Sequence, residues 1–362
     1  MLDFLRSLKS LLKVGRVHID NNVFRLHYLF TVLILLAFCI VVTTKQYVGD
    51  PINCMKSNAI PEEVINLYCW IHTTYSISRA FHKKVGEEVP YPGVDSTEDK
   101  SEFRYHKYYQ WVCFMLFLQA LFFYFPRWLW RMWENGKIQS LMMDLDCPIC
   151  AENEKKQKKK LLVDYIINSL HQHDWYAAKY FVCEIIAFVN VIGQMLLMDK
   201  FFSGEFLNYG LEVLKFTEMD QNDRTDPMIR VFPRLTKCHF YKYGHSGKIE
   251  EHDALCVLPL NIINEKIYIF LWFWFIILAI LTGVVLIFRM VIAACPPVRV
   301  YLLSMRFRIL HMEHIHTIVR RGSIGDWFLI YMLGQNVDSL IFRDIIADIA
   351  KRVTTEPKEA VA

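Results

Sequence analysis

Apolar residues in this chain are collected into long blocks that charged and polar stretches separate. A helix needs about 20 apolar residues to cross ~30 Å of hydrocarbon. The blocks that reach this length are residues 27–47, 108–130, 179–199 and 267–292. Each block has Tyr or Trp at an edge, and these amphipathic rings favour the headgroup level of a bilayer. The pattern therefore predicts four transmembrane helices, here called spans one to four.

The composition supports a membrane protein. Of the 362 residues, 54% are hydrophobic and 15% aromatic, and the mean hydropathy is +0.21. A soluble chain of this length would distribute its apolar residues over two or three ordinary cores. Span one has a basic flank, as a signal peptide does, but it lies late and lacks an A-x-A-like cleavage site. We therefore expect span one to be retained.

Lysine and arginine next to the spans predict the orientation. They are concentrated before span one, after span four and in the loop after span two, which contains KKQKKK at 155–160. Lys100, Arg104 and Lys107 weaken the contrast in the loop before span two. The positive-inside rule places both termini and the middle loop in the cytoplasm. The predicted segments outside the spans are a cytoplasmic N-terminal helix (1–26), an extracellular loop one (48–107), a cytoplasmic loop (131–178), an extracellular loop two (200–266) and a cytoplasmic C-terminal helical region (293–362).

Cysteine positions supply a second signal for orientation. Of ten cysteines, Cys54 and Cys69 lie in loop one, and Cys238 and Cys256 lie in loop two. An even number in an oxidising compartment predicts a disulfide framework with three possible connectivities, although four unrelated thiols are the alternative. Cys54 and Cys256 lie close to their spans, whereas the other two lie farther along their loops. If cysteines at similar distances from the membrane pair with each other, the bonds are Cys54–Cys256 and Cys69–Cys238. These bonds would join the two loops into one rigid platform.

Only four amide or carboxylate side chains lie well inside the predicted spans: those of Gln119, Glu184, Asn190 and Gln194. Glu184 lies within about a turn of the cytoplasmic edge, so we expect its carboxylate to snorkel toward water. Ala187, Asn190 and Gln194 share one helical face, which is typical of contacts between membrane helices. Four mostly apolar helices have only enough surface to pack on one another and face lipid. A conducting pore would therefore need several copies in a ring.

The two ends of the chain carry helical patterns. The segment MLDFLRSLKSLLKV (1–14) places leucines on one helical face and basic residues on another. Such a helix lies in the membrane interface or folds into a pore mouth, and periodicity alone favours the interface. In the tail, the pattern predicts helices at 298–318 and 336–353 around IGDWFLIYMLG (324–334).

No motif in the sequence predicts catalysis, a metal site or a cofactor. CPIC (147–150) lacks two further zinc ligands and the βαβ context of a redox motif. His311, His314 and His316 form neither H-E-x-x-H nor an i, i+4 pair. Nucleotide fingerprints, P-loops and nucleophile elbows are absent from the sequence. We therefore expect no enzyme activity, no cofactor, no metal and no nucleic acid partner.

Several motifs along the chain are similar to those of one known family. Span two starts with Tyr108, Tyr109, Gln110 and Trp111 in the sequence YYQWV, which resembles the innexin signature. Segments that resemble innexins in order and spacing are GDPINC (49–54), YCWIHTTY (68–75), DPMIRVFPRLTKC (226–238), LCVLPLNIINEKIYIFLWFWF (255–275) and IGDWFLIYMLG (324–334). The likeness covers almost the whole chain and is weakest in the middle loop and the extreme C-terminus. Connexins fit less well because they carry three cysteines per outer loop, and pannexins lack the YYQWV signature.

These features predict an all-α membrane protein. Its four transmembrane helices would carry disulfide-stapled extracellular loops and a helical cytoplasmic domain, and the protein would assemble as a ring. The resemblance implies an octameric hemichannel in the plasma membrane at cell–cell junctions, formed from identical subunits or with other innexins and surrounded by membrane lipids. It would dock with a hemichannel of the adjacent cell and pass ions and small metabolites. The resemblance also implies a pore funnel at the cytoplasmic mouth, formed by the N-terminal helix that starts with Met1, Leu2, Asp3 and Phe4.

Two other functions fit the same residues. An unpaired hemichannel that releases small molecules such as ATP would have nearly the same sequence. A four-span receptor or adhesion scaffold without a pore is a further interpretation. In each case we interpret Tyr108, Tyr109 and Trp111 as anchors at the outer interface, whose polar groups meet lipid headgroups or loop backbone.

Overall fold

A computed structural model describes residues 17–55, 60–96, 99–142, 152–218, 226–308 and 311–355. Its helices, in chain order, are α1 (Asn22–Tyr47), α2 (Glu62–Ile71), α3 (Val112–Glu134), α4 (Lys137–Met142), α5 (Glu152–Asn168), α6 (Asp174–Phe201), α7 (Phe206–Glu218), α8 (Pro227–Val231), α9 (Pro259–Ala294), α10 (Pro296–Arg306), α11 (Met312–Arg321), α12 (Ile324–Gly334) and α13 (Ser339–Thr355). The strands are β1 (Asn53–Cys54), β2 (Thr74–Ile77), β3 (Phe103–His106), β4 (Leu235–Tyr243) and β5 (Ile249–Val257).

In the described part of the chain, four helices are long and apolar enough to cross a membrane: α1, α3, α6 and α9. Each overlaps one predicted span. Helix α9 has 36 residues, which correspond to ~54 Å at 1.5 Å per residue. Because a bilayer core is ~30 Å thick, α9 extends well beyond it. Helix α3 begins only at Val112, since Tyr108–Gln110 form a 3₁₀ turn before it.

The chain divides into two compact units, and each of the four long helices contributes residues to both. Unit 1 contains the described residues of Met1–Phe30, Phe123–Val189 and Ile280–Ala362. Unit 2 contains those of Thr31–Phe122 and Asn190–Ala279.

Helix α12 lies in the core of unit 1. It is apolar all round and buried on almost every side, as its sequence IGDWFLIYMLG requires. A capping box starts it, because Ser323 and Asp326 each accept a hydrogen bond from the other's backbone N–H. Gly325 permits the close approach of residue His173, since a Cβ at Gly325 would lie 2.2 Å from the His173 carbonyl carbon.

Two predictions for unit 1 are wrong in detail. The predicted helix at 298–318 is two helices, because α10 ends at Arg306 and Phe307 leaves the helical conformation. Glu184 does not snorkel: its side chain is 2% exposed and pairs with Arg289 at 3.0 Å. The carboxylate therefore finds its charge partner within the protein rather than in water.

Unit 2 contains an antiparallel sheet with strand order β1-β5-β4-β2-β3. Strands β4 and β5 form a hairpin with nine residue pairs from Leu235↔Val257 to Tyr243↔Ile249. Its turn uses Gly247 at φ +76°, a left-handed conformation that favours glycine. Strand β2 joins the hairpin through the pair Tyr75↔Lys237. The sheet therefore combines strands from both of the loops that carry the four cysteines.

Candidate functional site: the disulfide-linked loops and the four spans

Two disulfides connect loop one to loop two inside unit 2. Cys54 and Cys256 face each other in the register of β1 and β5, with a Cα–Cα distance of 3.9 Å. Cys69, on α2, is bonded to Cys238 on β4, with a Cα–Cα distance of 5.9 Å. This is the pairing expected from the distances of the cysteines from their spans. All four residues are buried.

The two bridges lie next to each other in one small core. The sulfur atoms of Cys54, Cys69 and Cys256 lie within 4.8 Å of one another. Because these sulfurs are in disulfides, they are not thiolate ligands for a metal ion. Ile52, Ile65 and other apolar residues surround them, so the loops share one core. The bridges span 202 and 169 residues, and closing a segment of this length contributes ~5 kcal/mol for one bridge in the chain-entropy account.

The YYQWV segment connects helix α3 to both loops. Tyr108 donates a hydrogen bond to the Val231 carbonyl of loop two at 3.1 Å. Tyr109 donates to the Cys69 carbonyl at 3.4 Å, and the Gln110 amide donates to the Trp70 carbonyl.

Trp111 is the exception in this segment. Its side chain is 59% exposed. Three of the four signature residues therefore donate hydrogen bonds to loop carbonyls, whereas the Trp111 ring is exposed.

Ion pairs also join the two loops. Arg104 of loop one makes two parallel hydrogen bonds of 2.8 Å to the carboxylate of Glu205 in loop two. Such bidentate pairs fix orientation better than single contacts do. Arg234 forms a 2.7 Å pair with Glu265, whose side chain is fully buried at the start of α9. The second pair anchors loop two to the fourth span.

A buried histidine lies where β3 ends. The His106 ring is hydrogen-bonded to the Ser76 hydroxyl at 2.8 Å. Burial, with a smaller contribution from Arg104, lowers the pKa of His106 to about 3. His106 is therefore neutral at physiological pH and adds no charge to the loops.

The predicted funnel residues, and the cysteine and histidine motifs to which the sequence assigned no function, are not part of this site. Met1, Leu2, Asp3, Phe4 and the CPIC segment lie outside the described residues. His311 and His314 pack ring to ring at 5.8 Å on and beside α11 in unit 1, far along the chain from the cysteines.

Sequence reasoning missed several residues that form the site. Glu205, Arg234 and Glu265 were not singled out, and Arg104 was noted only for its charge, because long-range ion pairs leave no local pattern. Burial alternates in only the first part of β4, so the sequence of this strand gives little of the period-two pattern that predicts a sheet.

The four long helices leave much of their apolar surface uncovered. Within the most apolar window of each, between 22% and 39% of the residues are buried in a single chain. Soluble proteins do not expose apolar area on this scale. The fold and the linked loops thus define a multi-pass membrane protein with one disulfide-stapled module that joins its two large loops.

Comparison with known proteins identifies the family. The innexin family model matches residues 20–353. Innexin shaking-B of Drosophila melanogaster is 57% identical over 354 residues, covering 98% of this chain and 95% of the relative. Innexin inx2 of Schistocerca americana is 52% identical over 362 residues, and the match covers 100% of both chains. Innexin inx2 of D. melanogaster is 51% identical over 361 residues, which cover 99% of this chain and 98% of the relative. The chain belongs to the innexin family and is a gap-junction channel protein of the multi-pass membrane class, a family of channels rather than enzymes.

Proposed function

We propose that eight copies of this chain form a hemichannel whose stapled loops dock with those of a hemichannel in the adjacent cell. The observation that carries this proposal is the pair of disulfides that joins both loops into one module. Docking between two membranes needs a surface that keeps its shape without support from a bilayer. Two bridges, a shared core and bidentate ion pairs supply that rigidity.

The orientation that we propose places both termini and the middle loop in the cytoplasm. Disulfides persist in oxidising compartments, which supports an extracellular position for the loops with Cys54, Cys69, Cys238 and Cys256. The excess of lysine and arginine around 155–160 and after α9 supports a cytoplasmic position for those segments. Lys100, Arg104 and Lys107 of loop one weaken the charge argument, so the disulfides carry more of the assignment than the charges do.

The pore lies on the axis of the ring. A single chain buries Gln119 and Gln194 within itself, so these polar residues do not line a wide water path. The uncovered apolar faces of the spans are available for neighbouring subunits and lipid. The N-terminal helix, beginning with Met1, Leu2, Asp3 and Phe4, would narrow the cytoplasmic mouth as a funnel. Its mixed apolar and basic faces suit a position between spans and water.

Imaging and dye transfer together test this proposal. Purified particles viewed along the symmetry axis should show closed rings of eight subunits with a central opening. Paired cells that express the chain should exchange a small dye, and cells expressing it on one side only should not. Rings with dye leakage from single cells but no transfer would indicate an unpaired hemichannel. Particles without a closed ring would contradict the proposal.

A further inference from the structure

A cavity of about 330 Å³ lies in unit 2 beside the YYQWV segment. Its lining includes Arg104, Lys107, Trp111, Phe202, Ser203 and Val231. The volume falls at the lower end of the range for small-molecule sites in proteins. None of the contacts described for the signature residues fills this space.

The cavity lies where two spans meet the loops. It is bounded by residues directly before α3, which begins at Val112, and directly after α6, which ends at Phe201. Tyr105 and Trp111 are 53% and 59% exposed there. Exposed aromatic rings at the end of a span mark the level of the lipid headgroups. The cavity therefore opens at the height of phosphate groups in the adjoining leaflet.

The charges around the cavity have a positive excess. Arg104 and Arg230 both pair with the single carboxylate of Glu205, at 2.8 and 3.1 Å. Lys107 is exposed, and among the described residues no carboxylate lies within ion-pair distance of it. Arg104 and Lys107 line the cavity and Arg230 does not, so these two cations against the Glu205 carboxylate leave a net charge of +1. His106, which is buried and neutral, does not change this balance.

We propose that this cavity binds the phosphodiester headgroup of a phospholipid in the leaflet next to the loops. The Lys107 ammonium and the Ser203 hydroxyl donate hydrogen bonds to phosphate oxygens, as cations and hydroxyls do at phosphate sites. The acyl chains follow the exposed apolar side of α3, along Phe114 and the Trp111 ring directly before the helix. The proposal does not depend on docking or conductance, because it concerns one face of one chain.

Lipid retention tests the site directly. The full-length protein is purified in a phosphate-free detergent and incubated with dioleoylphosphatidylglycerol or dioleoylphosphatidylcholine, and native mass spectrometry counts the lipids retained per chain. Removing one cation contact in Lys107→Gln should weaken retention of both lipids about fivefold. Lys107→Arg should retain lipid as the wild type does. Lys200→Gln is the matched control, because Lys200 is an exposed lysine near the end of α6 that does not line the cavity.

Equal retention by the wild type, Lys107→Gln and Lys200→Gln would overturn the proposal, and so would equal losses in both variants. Should Lys107→Gln fail to fold, as size-exclusion chromatography would show, Ser203→Ala removes the second donor and should also weaken retention. A soluble short-chain phospholipid should raise the unfolding temperature of the wild type but not of the Lys107→Gln variant. If inorganic phosphate produces that Lys107-dependent rise and the lipid does not, the site takes free phosphate and the lipid assignment is wrong.

Discussion

Arg289 and Glu184 form a buried ion pair with two hydrogen bonds in unit 1. The Nε–Oε2 and Nη2–Oε1 distances are both 3.0 Å, and the side chains are only 13% and 2% exposed. Asn21 donates a third hydrogen bond to the Glu184 carboxylate at 2.7 Å. Because both charged residues belong to membrane-spanning helices, the pair is held where an isolated charge would be costly.

Breaking one side of this pair should be worse than removing both charges. Arg289→Gln leaves the Glu184 carboxylate buried without a cation and should destabilise the protein by about 3–5 kcal/mol. The double variant Arg289→Gln with Glu184→Gln removes the unpaired charge and should recover most of that loss. Unfolding temperatures of the detergent-purified variants check this. Equal losses in the single and double variants would show that the pair acts only through packing.

The bridge between Cys69 and Cys238 should be required for a stable loop module. Cys69→Ser should lower the unfolding temperature and abolish dye transfer between paired cells, because the loops lose a constraint of several kcal/mol. Cys295→Ser is the control, since Cys295 is an exposed cysteine outside both disulfides. Normal transfer and stability in Cys69→Ser would contradict the importance of the stapled module.

His106 should make the loops less stable in acid. Its pKa is about 3 in the folded protein and about 6.5 in the unfolded chain, so the unfolded state binds more protons between these values. With His106 neutral in both states above pH 6.5, the free energy of unfolding is at its full value. It decreases as the pH falls from 6.5 toward 3, because only the unfolded chain then binds a proton at this residue. At pH 5 the loss should be about 2 kcal/mol.

A variant isolates this contribution. His106→Gln keeps a polar partner for Ser76 but does not titrate. Between pH 7.5 and 5, its unfolding temperature should fall less than that of the wild type. If both fall equally, His106 is protonated in the folded protein and its burial has been misjudged.

Asp326 should stabilise unit 1 in its ionised form. Burial opposes its ionisation, but hydrogen bonds from His173, Ser323 and the His171 backbone outweigh burial and lower the pKa of Asp326 to about 2. Its contribution is therefore present above the unfolded pKa of about 4 and is lost as the pH falls through 2. Asp326→Asn should cost about 1–2 kcal/mol at pH 7, and this difference should shrink toward pH 2. The exposed Asp338→Asn serves as a comparison, and an equal effect there would refute the assignment.

The spans and the bridges were predictable from the sequence for physical reasons. A run of about 20 apolar residues has few alternatives to crossing a bilayer, which fixes helices α1, α3, α6 and α9 to within several residues. The cysteine pairing could be predicted from the distance of each cysteine from its span. A disulfide needs Cα atoms less than about 7 Å apart, so cysteines at similar distances from the membrane are the ones able to bond.

The sheet and the ion pairs were not predictable in the same way. Strand β2 is buried on both faces, so it lacks the alternation that marks a half-buried strand. Glu184 and Arg289 are 105 residues apart, and no local sequence pattern predicts their contact. The YYQWV segment was assigned to span two, although its first three residues form a 3₁₀ turn before α3. The side chains of Tyr108 and Tyr109 in this turn donate hydrogen bonds to loop carbonyls.

Electrical coupling between paired cells tests the central claim most directly. Two cells that express only this chain are voltage-clamped in contact, and the junctional current is measured while surface labelling confirms equal delivery of the protein. We expect a junctional conductance that is present in wild-type pairs and absent when either cell carries Cys69→Ser. Wild-type pairs with full surface delivery and no junctional current would contradict a docked intercellular channel.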